Sequence, residues 1–194
     1  MHASTSSASR LVKLAFGLCM GAGLATAALA WELEGTKSIV AMTRDQQRID
    51  IGSVAFKPKE GGQVEFSIHI DHAKFKDFFL SMREFKCLEG PEEIFCHVPY
   101  PYRQPGFVKA DDFAWLEHSL MFLFKRPKEF GAKLLNGIYF RFSKTDTGLV
   151  GKPQAIDLNL IGAPPDDLDV PPYSADLRSD IEPGARWIES LHIE

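Results

Sequence analysis

The stretch Val64-Glu65-Phe66-Ser67-Ile68-His69-Ile70 alternates apolar and polar side chains without a break. Successive side chains of a strand point to opposite faces, so this period of two predicts a β-strand with one buried and one wet face. Upstream, Ser38 to Thr43 reads as a first strand, closed by the polar turn Arg44-Asp45-Gln46-Gln47. Ile49 and Ile51 alternate with charge; Gly52-Ser53 then slips the phase by one residue before Val54 and Phe56 resume it, which marks a bulge. Pro58 to Gly62 turns the chain into the strand at 64–70. Residues 72–79 lose the alternation and predict one short helix.

Downstream, Phe85 to Leu88 and Ile94 to Val98 flank Glu89-Gly90-Pro91-Glu92-Glu93, an apolar–turn–apolar pattern. With Pro91 and Glu92 at the turn centres, counting outward places Cys87 directly opposite Cys96 in a non-hydrogen-bonded pair. That pairing brings Cα atoms within disulfide reach, and the short loop it closes predicts a stabilisation of about 2–3 kcal/mol. A redox-active pair would instead favour a C-x-x-C spacing at a helix start.

Pro99-Tyr100-Pro101-Tyr102 and Pro105-Gly106 predict an extended loop, since proline disfavours helix in itself and its predecessor. Asp111 is a candidate cap for a helix carrying Phe113, Leu116 and Leu120 on one stripe, ending either near Ser119 or near Phe124. Ile138, Phe140 and Phe142 alternate, Asp146-Thr147-Gly148 turns, and Ile156, Leu158 and Leu160 alternate again, predicting a second hairpin. Six to eight strands with one or two short helices predict a mostly β (β-rich α+β) fold. Its antiparallel sheet would form a sandwich or a partly closed barrel over residues 31–163. Residues 164–194 read as a tail. Pro164, Pro165, Pro171 and Pro172 bracket the acidic Asp166-Asp167-Leu168-Asp169, and a short helix from Pro183 would pack Trp187 and Leu191 on the domain.

The amino terminus decides location. Arg10 and Lys13 precede an uncharged stretch from Leu14 to Leu29 that ends Ala28-Leu29-Ala30. A positive start, an apolar middle and an A-x-A end predict a cleavable signal peptide over 1–30, and hence a periplasmic or secreted domain. An uncleaved anchor is the rival, at the lower edge of spanning length. The lipoprotein and twin-arginine routes fit poorly around Cys19 and Arg10. After residue 30 no apolar run is long enough to span a bilayer. The leader holds two of the 22 basic residues and none of the 26 acidic ones, so the remainder carries a formal charge of −6. That balance argues against nucleic acid or an anionic membrane as the main partner.

Function is less legible. No serine sits in G-x-S-x-G, no glycine pattern cradles phosphate, and adjacent carboxylates such as Asp111-Asp112 are explained by solvation. The sequence therefore favours an exported binding or interaction module over an enzyme. On the loop at 99–106 and just after it, Tyr100, Tyr102, Arg103 and Phe107 are candidate contacts for a partner protein, because a proline-restricted loop loses little entropy on binding. The plainer reading is that these tyrosines cover the core edge. Fourteen of the 15 phenylalanines lie after the leader and allow a second reading, a cavity for a small apolar ligand. A third uses His69 and Asp71, which share one strand face, with His97 as a further donor. Imidazole and carboxylate would suit Zn²⁺ or Cu²⁺, or a hydrolase; otherwise they are the wet side of the strand.

Overall fold

A computed structural model describes residues 1–2, 31–80 and 83–194. The expected leader therefore lies, beyond its first two residues, outside the described residues. Among the described residues no helix is long and apolar enough to cross a membrane.

The described residues build one antiparallel twelve-stranded sheet that does not close into a barrel. Its strands are β1 (Gly35–Thr43), β2 (Arg48–Pro58), β3 (Val64–Ile70), β4 (Lys76–Leu80), β5 (Arg83–Glu89), β6 (Ile94–His97), β7 (Phe107–Val108), β8 (Phe122–Lys125), β9 (Gly137–Thr145), β10 (Gly148–Ile156), β11 (Ser179–Asp180) and β12 (Ile188–Ile193). They run in the order β4-β5-β6-β8-β9-β10-β12-β1-β2-β3-β7, with β11 beside β10. Among the described residues there is one α-helix, α1 (Ala114–Ser119), buried from Trp115 to Ser119 and packed against β7 and β9.

The predicted bulge sits where Ile39 and Val40 of β1 face Gly52 and Asp50, leaving Ile51 as the extra residue. Gly52 has φ +151°, and a Cβ there would lie 2.1 Å from the His69 carbonyl oxygen, so β3 approaches as only glycine permits. The Gly90–Glu93 turn closes with a 2.9 Å bond from the Gly90 N–H to the Glu93 carbonyl. Cys87 and Cys96 face each other in register and are joined by a disulfide with Cα atoms 3.9 Å apart. Gly90 serves a different purpose from a flexible turn: a Cβ would strike the Trp187 indole at 2.4 Å.

Three expectations are corrected and one that was open is decided. Residues 72–79 are not one short helix: a single 3₁₀ turn at His72–Lys74, capped by the Asp71 side chain, leads into β4, which pairs with β5. The stripe helix stops at Ser119, because Phe122–Lys125 joins the sheet between β6 and β9. The return strand of the second hairpin is Gly148–Ile156, and Leu158–Ile161 is a 3₁₀ turn with its Asn159 N–H held by Asp157. Pro153 is tolerated in that strand because it falls between the residues paired to β12 and those paired to β11. Finally, no helix starts at Pro183. Residues 188–193 fill the slot between β10 and β1, where both backbone edges find partners.

Side chains alternate between two cores. Ile39, Ile51, Val54, Phe95, Phe122, Ile138, Phe140, Leu149 and Leu191 meet on the inner face, between the two halves of the folded sheet. Cys87, Ile94, Cys96, Leu123 and Tyr139 point the other way, into a smaller outer core. That outer core is covered not by strands but by loops and short helical turns: Tyr100, Trp115 of α1, Leu158, Ile161 and Tyr173.

Candidate functional site

The residues singled out on the proline–tyrosine loop do not form an exposed patch. Tyr100 is only 6% exposed and belongs to the outer core. Its ring meets Tyr102, Trp115 and His118 at centroid distances of 5.6, 5.8 and 6.0 Å. Tyr102 is half-buried against the same core; Arg103 is exposed and reaches Asp169 at 3.6 Å; Phe107 is half-buried in β7, opposite Glu65. The cause is the outer face of β5, β6, β8 and β9, which needs apolar cover. The phenylalanines, for their part, pack on one another, with Phe95–Phe122 and Phe122–Phe140 centroids both 6.0 Å apart.

The candidate metal donors His69, Asp71 and His97 have other surroundings. No three His, Cys, Asp or Glu side chains among the described residues come together in a way that could hold an ion. Asp71 is committed as a cap, its Oδ1 accepting from the Ala73 N–H at 3.1 Å. His97 holds the Ser119 carbonyl through Nε2 at 3.0 Å, and burial pushes its pKa down, against that hydrogen bond.

What the structure does bring together is a groove of about 650 Å³ between β3 and the loop. Its lining combines Phe66, Ile68 and Ile70 with His69, His72 and His97, and is closed by Pro99, Gln104, Gly106 and Ser119. Gln104 donates through Nε2 to the Ser119 hydroxyl at 2.8 Å, while its Oε1 is buried without a partner among the described residues. A buried, unpaired carbonyl is costly and calls for a donor.

The backbone of the groove is also incomplete. β3 pairs with β2 along its whole length but with β7 only at Val64 and Glu65, extended by the Phe66 N–H to the Gly106 carbonyl at 3.1 Å. Backbone groups alternate sides along a strand, so Ile68 and Ile70 share the parity of Phe66 and direct theirs away from β2, into the groove. The Ile68 N–H has no partner among the described residues. No family model, curated protein or solved structure matches the chain.

A second polar cluster lies under α1 and was invisible in the sequence. Glu117 is buried; its carboxylate accepts from the Tyr139 hydroxyl and from the Phe142 N–H at 2.6 Å. Burial pushes the Glu117 pKa up, opposed by those two donors and by Arg178. The Tyr139 pKa rises through burial and then through the Glu117 charge. His118, on α1, is 0% exposed and its ring stacks on that of Tyr173 at 5.5 Å. Its Nδ1 meets the Ala114 carbonyl at 2.6 Å, and its Nε2 accepts from the Tyr173 N–H at 3.2 Å. Burial drops its pKa to about 4, so the ring is neutral. A pocket of about 480 Å³ opens beside Glu117, with Arg141 and Arg178 at its wall. Because Glu117 bonds to Tyr139 and Phe142 of β9 and His118 to the Tyr173 N–H, this cluster fastens α1 to β9 and to the segment around Tyr173. Only adjacency on one short helix linked the two residues in the sequence, and adjacency carries no chemistry.

Proposed function

We propose that the protein is an exported envelope binding module that takes an extended segment of a partner protein into the groove beside the Pro99–Gly106 loop. The observation that carries this reading is the open edge of β3. An added strand would complete the outward backbone bonds of Ile68 and Ile70, the recognised mode of peptide capture by sheet edges. Apolar side chains of the segment would lie on Phe66, Ile68 and Ile70, and a donor on it would meet Gln104 Oε1. Export is supported by the leader-like residues 1–30 and by the Cys87–Cys96 pair, since disulfides persist in oxidising compartments.

Ile68→Pro is the sharp test. Proline removes the outward N–H while leaving the bonds that β3 makes to β2 through residues of the other parity. Peptides selected on the full chain from a displayed random library should bind this variant at least about tenfold more weakly, the loss of one charge-free hydrogen bond with its desolvation. In the unsubstituted chain the same peptides should slow amide exchange at Ile68. Should Ile68→Pro misfold, Gln104→Leu reads the same groove through its side chain. Full binding by a folded Ile68→Pro, or protection elsewhere, ends the proposal.

A further inference from the structure

Residues 126–135 form a loop that carries apolar tips into water. Phe130 is 100% exposed and Leu135 70%, with Leu134 at 39% beside it. Leu160, 49% exposed, stands on the 3₁₀ turn Leu158–Ile161, which packs against the turn Leu134–Asn136. The loop is not a loose tether. Glu129 accepts from the Arg126 N–H at 2.9 Å and from Lys133 Nζ at 3.0 Å, Gly131 turns the chain at φ +67°, and Ala132 packs on the outer core. A fixed loop that still displays a bare phenylalanine has a hydrophobic surface with no use inside the fold.

Its charge names the occupant. Arg126, Lys128 and Lys133 against the one acid Glu129 leave +2 on this loop, in a chain whose formal total is −4. Lysine is depleted from the buried centres of protein–protein interfaces, whereas cations interleaved with Phe and Leu are the pattern of elements that lie in a membrane interface. We propose that the 126–135 loop, with Leu160, docks the domain on an anionic phospholipid surface: Phe130, Leu134, Leu135 and Leu160 enter the acyl boundary and the three cations meet headgroup phosphates. The overall negative charge does not oppose this, because at physiological salt screening confines the interaction to about 8 Å from the contact.

The experiment uses the full chain with Cys19→Ser and Phe130→Cys, labelled at residue 130 with an environment-sensitive fluorophore. A control carries the label at Asp146→Cys, in the turn joining β9 to β10. Vesicles of phosphatidylcholine containing phosphatidylglycerol should blue-shift the label at 130 and leave that at 146 unchanged. Partition should weaken about 25-fold with Lys128→Ala plus Lys133→Ala, roughly fivefold for each cation lost. Vesicles of phosphatidylcholine alone should take up little protein. A label at 130 that stays in water while the chain sediments with vesicles, an equal shift on neutral vesicles, or no sedimentation at all would each overturn the proposal.

Discussion

The two faces of the sheet are stabilised by different means. The inner core is built from regular strands meeting regular strands, and Phe122, Ile138, Phe140 and Leu149 lie there almost fully buried. The outer core uses the alternate residues of β5, β6, β8 and β9, but its lid is irregular: the proline–tyrosine loop, α1, the 3₁₀ turn at 158–161 and Tyr173. Strands satisfy their own backbone in the ladder, so the inner face needs only apolar volume. Irregular chain lacks that ladder, and the outer lid is instead pinned by single contacts: His118 between two backbone groups, and the Tyr173 hydroxyl on the Asp157 carbonyl at 2.8 Å, over a sheet face whose β5 and β6 are themselves joined by the disulfide.

The largest effect should come from the inner face. Phe140 is 0% exposed, and Phe140→Ala should lower the unfolding free energy by about 3–5 kcal/mol, the range for emptying a packed aromatic site. Urea denaturation measures it. A cost no greater than that of Tyr102→Ala, at the half-buried rim of the outer lid, would show that the two faces do not differ in this way.

Acid should find the outer face first. Folded His118 stays neutral down to about pH 4, whereas in the unfolded chain it takes up a proton below 6.5. Its contribution is therefore intact above pH 6.5, drains as pH falls through that window and is gone near 4, amounting to about 3 kcal/mol in all. Glu117 works in the opposite sense: its raised pKa favours the fold when it is protonated, and that contribution is lost as pH rises. Between pH 6.5 and 4, His118→Gln should show a shallower fall of stability with acid than the parent chain, and equal slopes would remove His118 as the acid-sensitive pin.

The same contrast explains what could be read from residues alone. β1, β2, β3, β9 and the disulfide hairpin follow from alternation and turn chemistry, because inner-face burial imposes a period of two. β12 escaped for a definable reason. Met42 pairs with Ser190 and Thr43 with Ile188, so Glu189 is an extra residue. The bulge breaks the period of two, so buried Trp187 and Ile188 stand four and three residues before Leu191, which imitates helical spacing. The outer lid left no periodic trace at all, so residues alone left Tyr100 open between a partner contact and cover for the core edge; it is buried in the outer core. The groove was half legible: His69, His97 and the loop were singled out, but Gln104, His72 and the open edge of β3 depend on where β7 stops.

Third in size is the hairpin. Replacing Cys87 and Cys96 together with alanine should cost about 2–3 kcal/mol for a loop closed over nine residues of separation. The loss should appear in the strands under the outer core: amides of 94–97 and 121–123 should exchange faster than those of β1 and β2. Uniform acceleration across both faces would mean that the two cores unfold as one unit and that the disulfide does not serve the outer one in particular.

The smallest effect has the opposite sign. The Tyr100 hydroxyl is buried without a hydrogen-bond partner among the described residues, and burial raises its pKa. A buried hydroxyl that has given up water for nothing is a cost to the fold, while its ring packs on Tyr102, Trp115 and His118. Tyr100→Phe keeps the ring and removes the orphan oxygen, so it should raise the unfolding free energy by up to about 1 kcal/mol. Tyr100→Ala should lower it by about 3 kcal/mol or more through the cavity it leaves. Opposite signs at one position identify Tyr100 as lid packing. A destabilised Tyr100→Phe would instead mean that the hydroxyl makes a bond, and that this edge of the outer lid is held by polar contacts as firmly as His118 holds its centre.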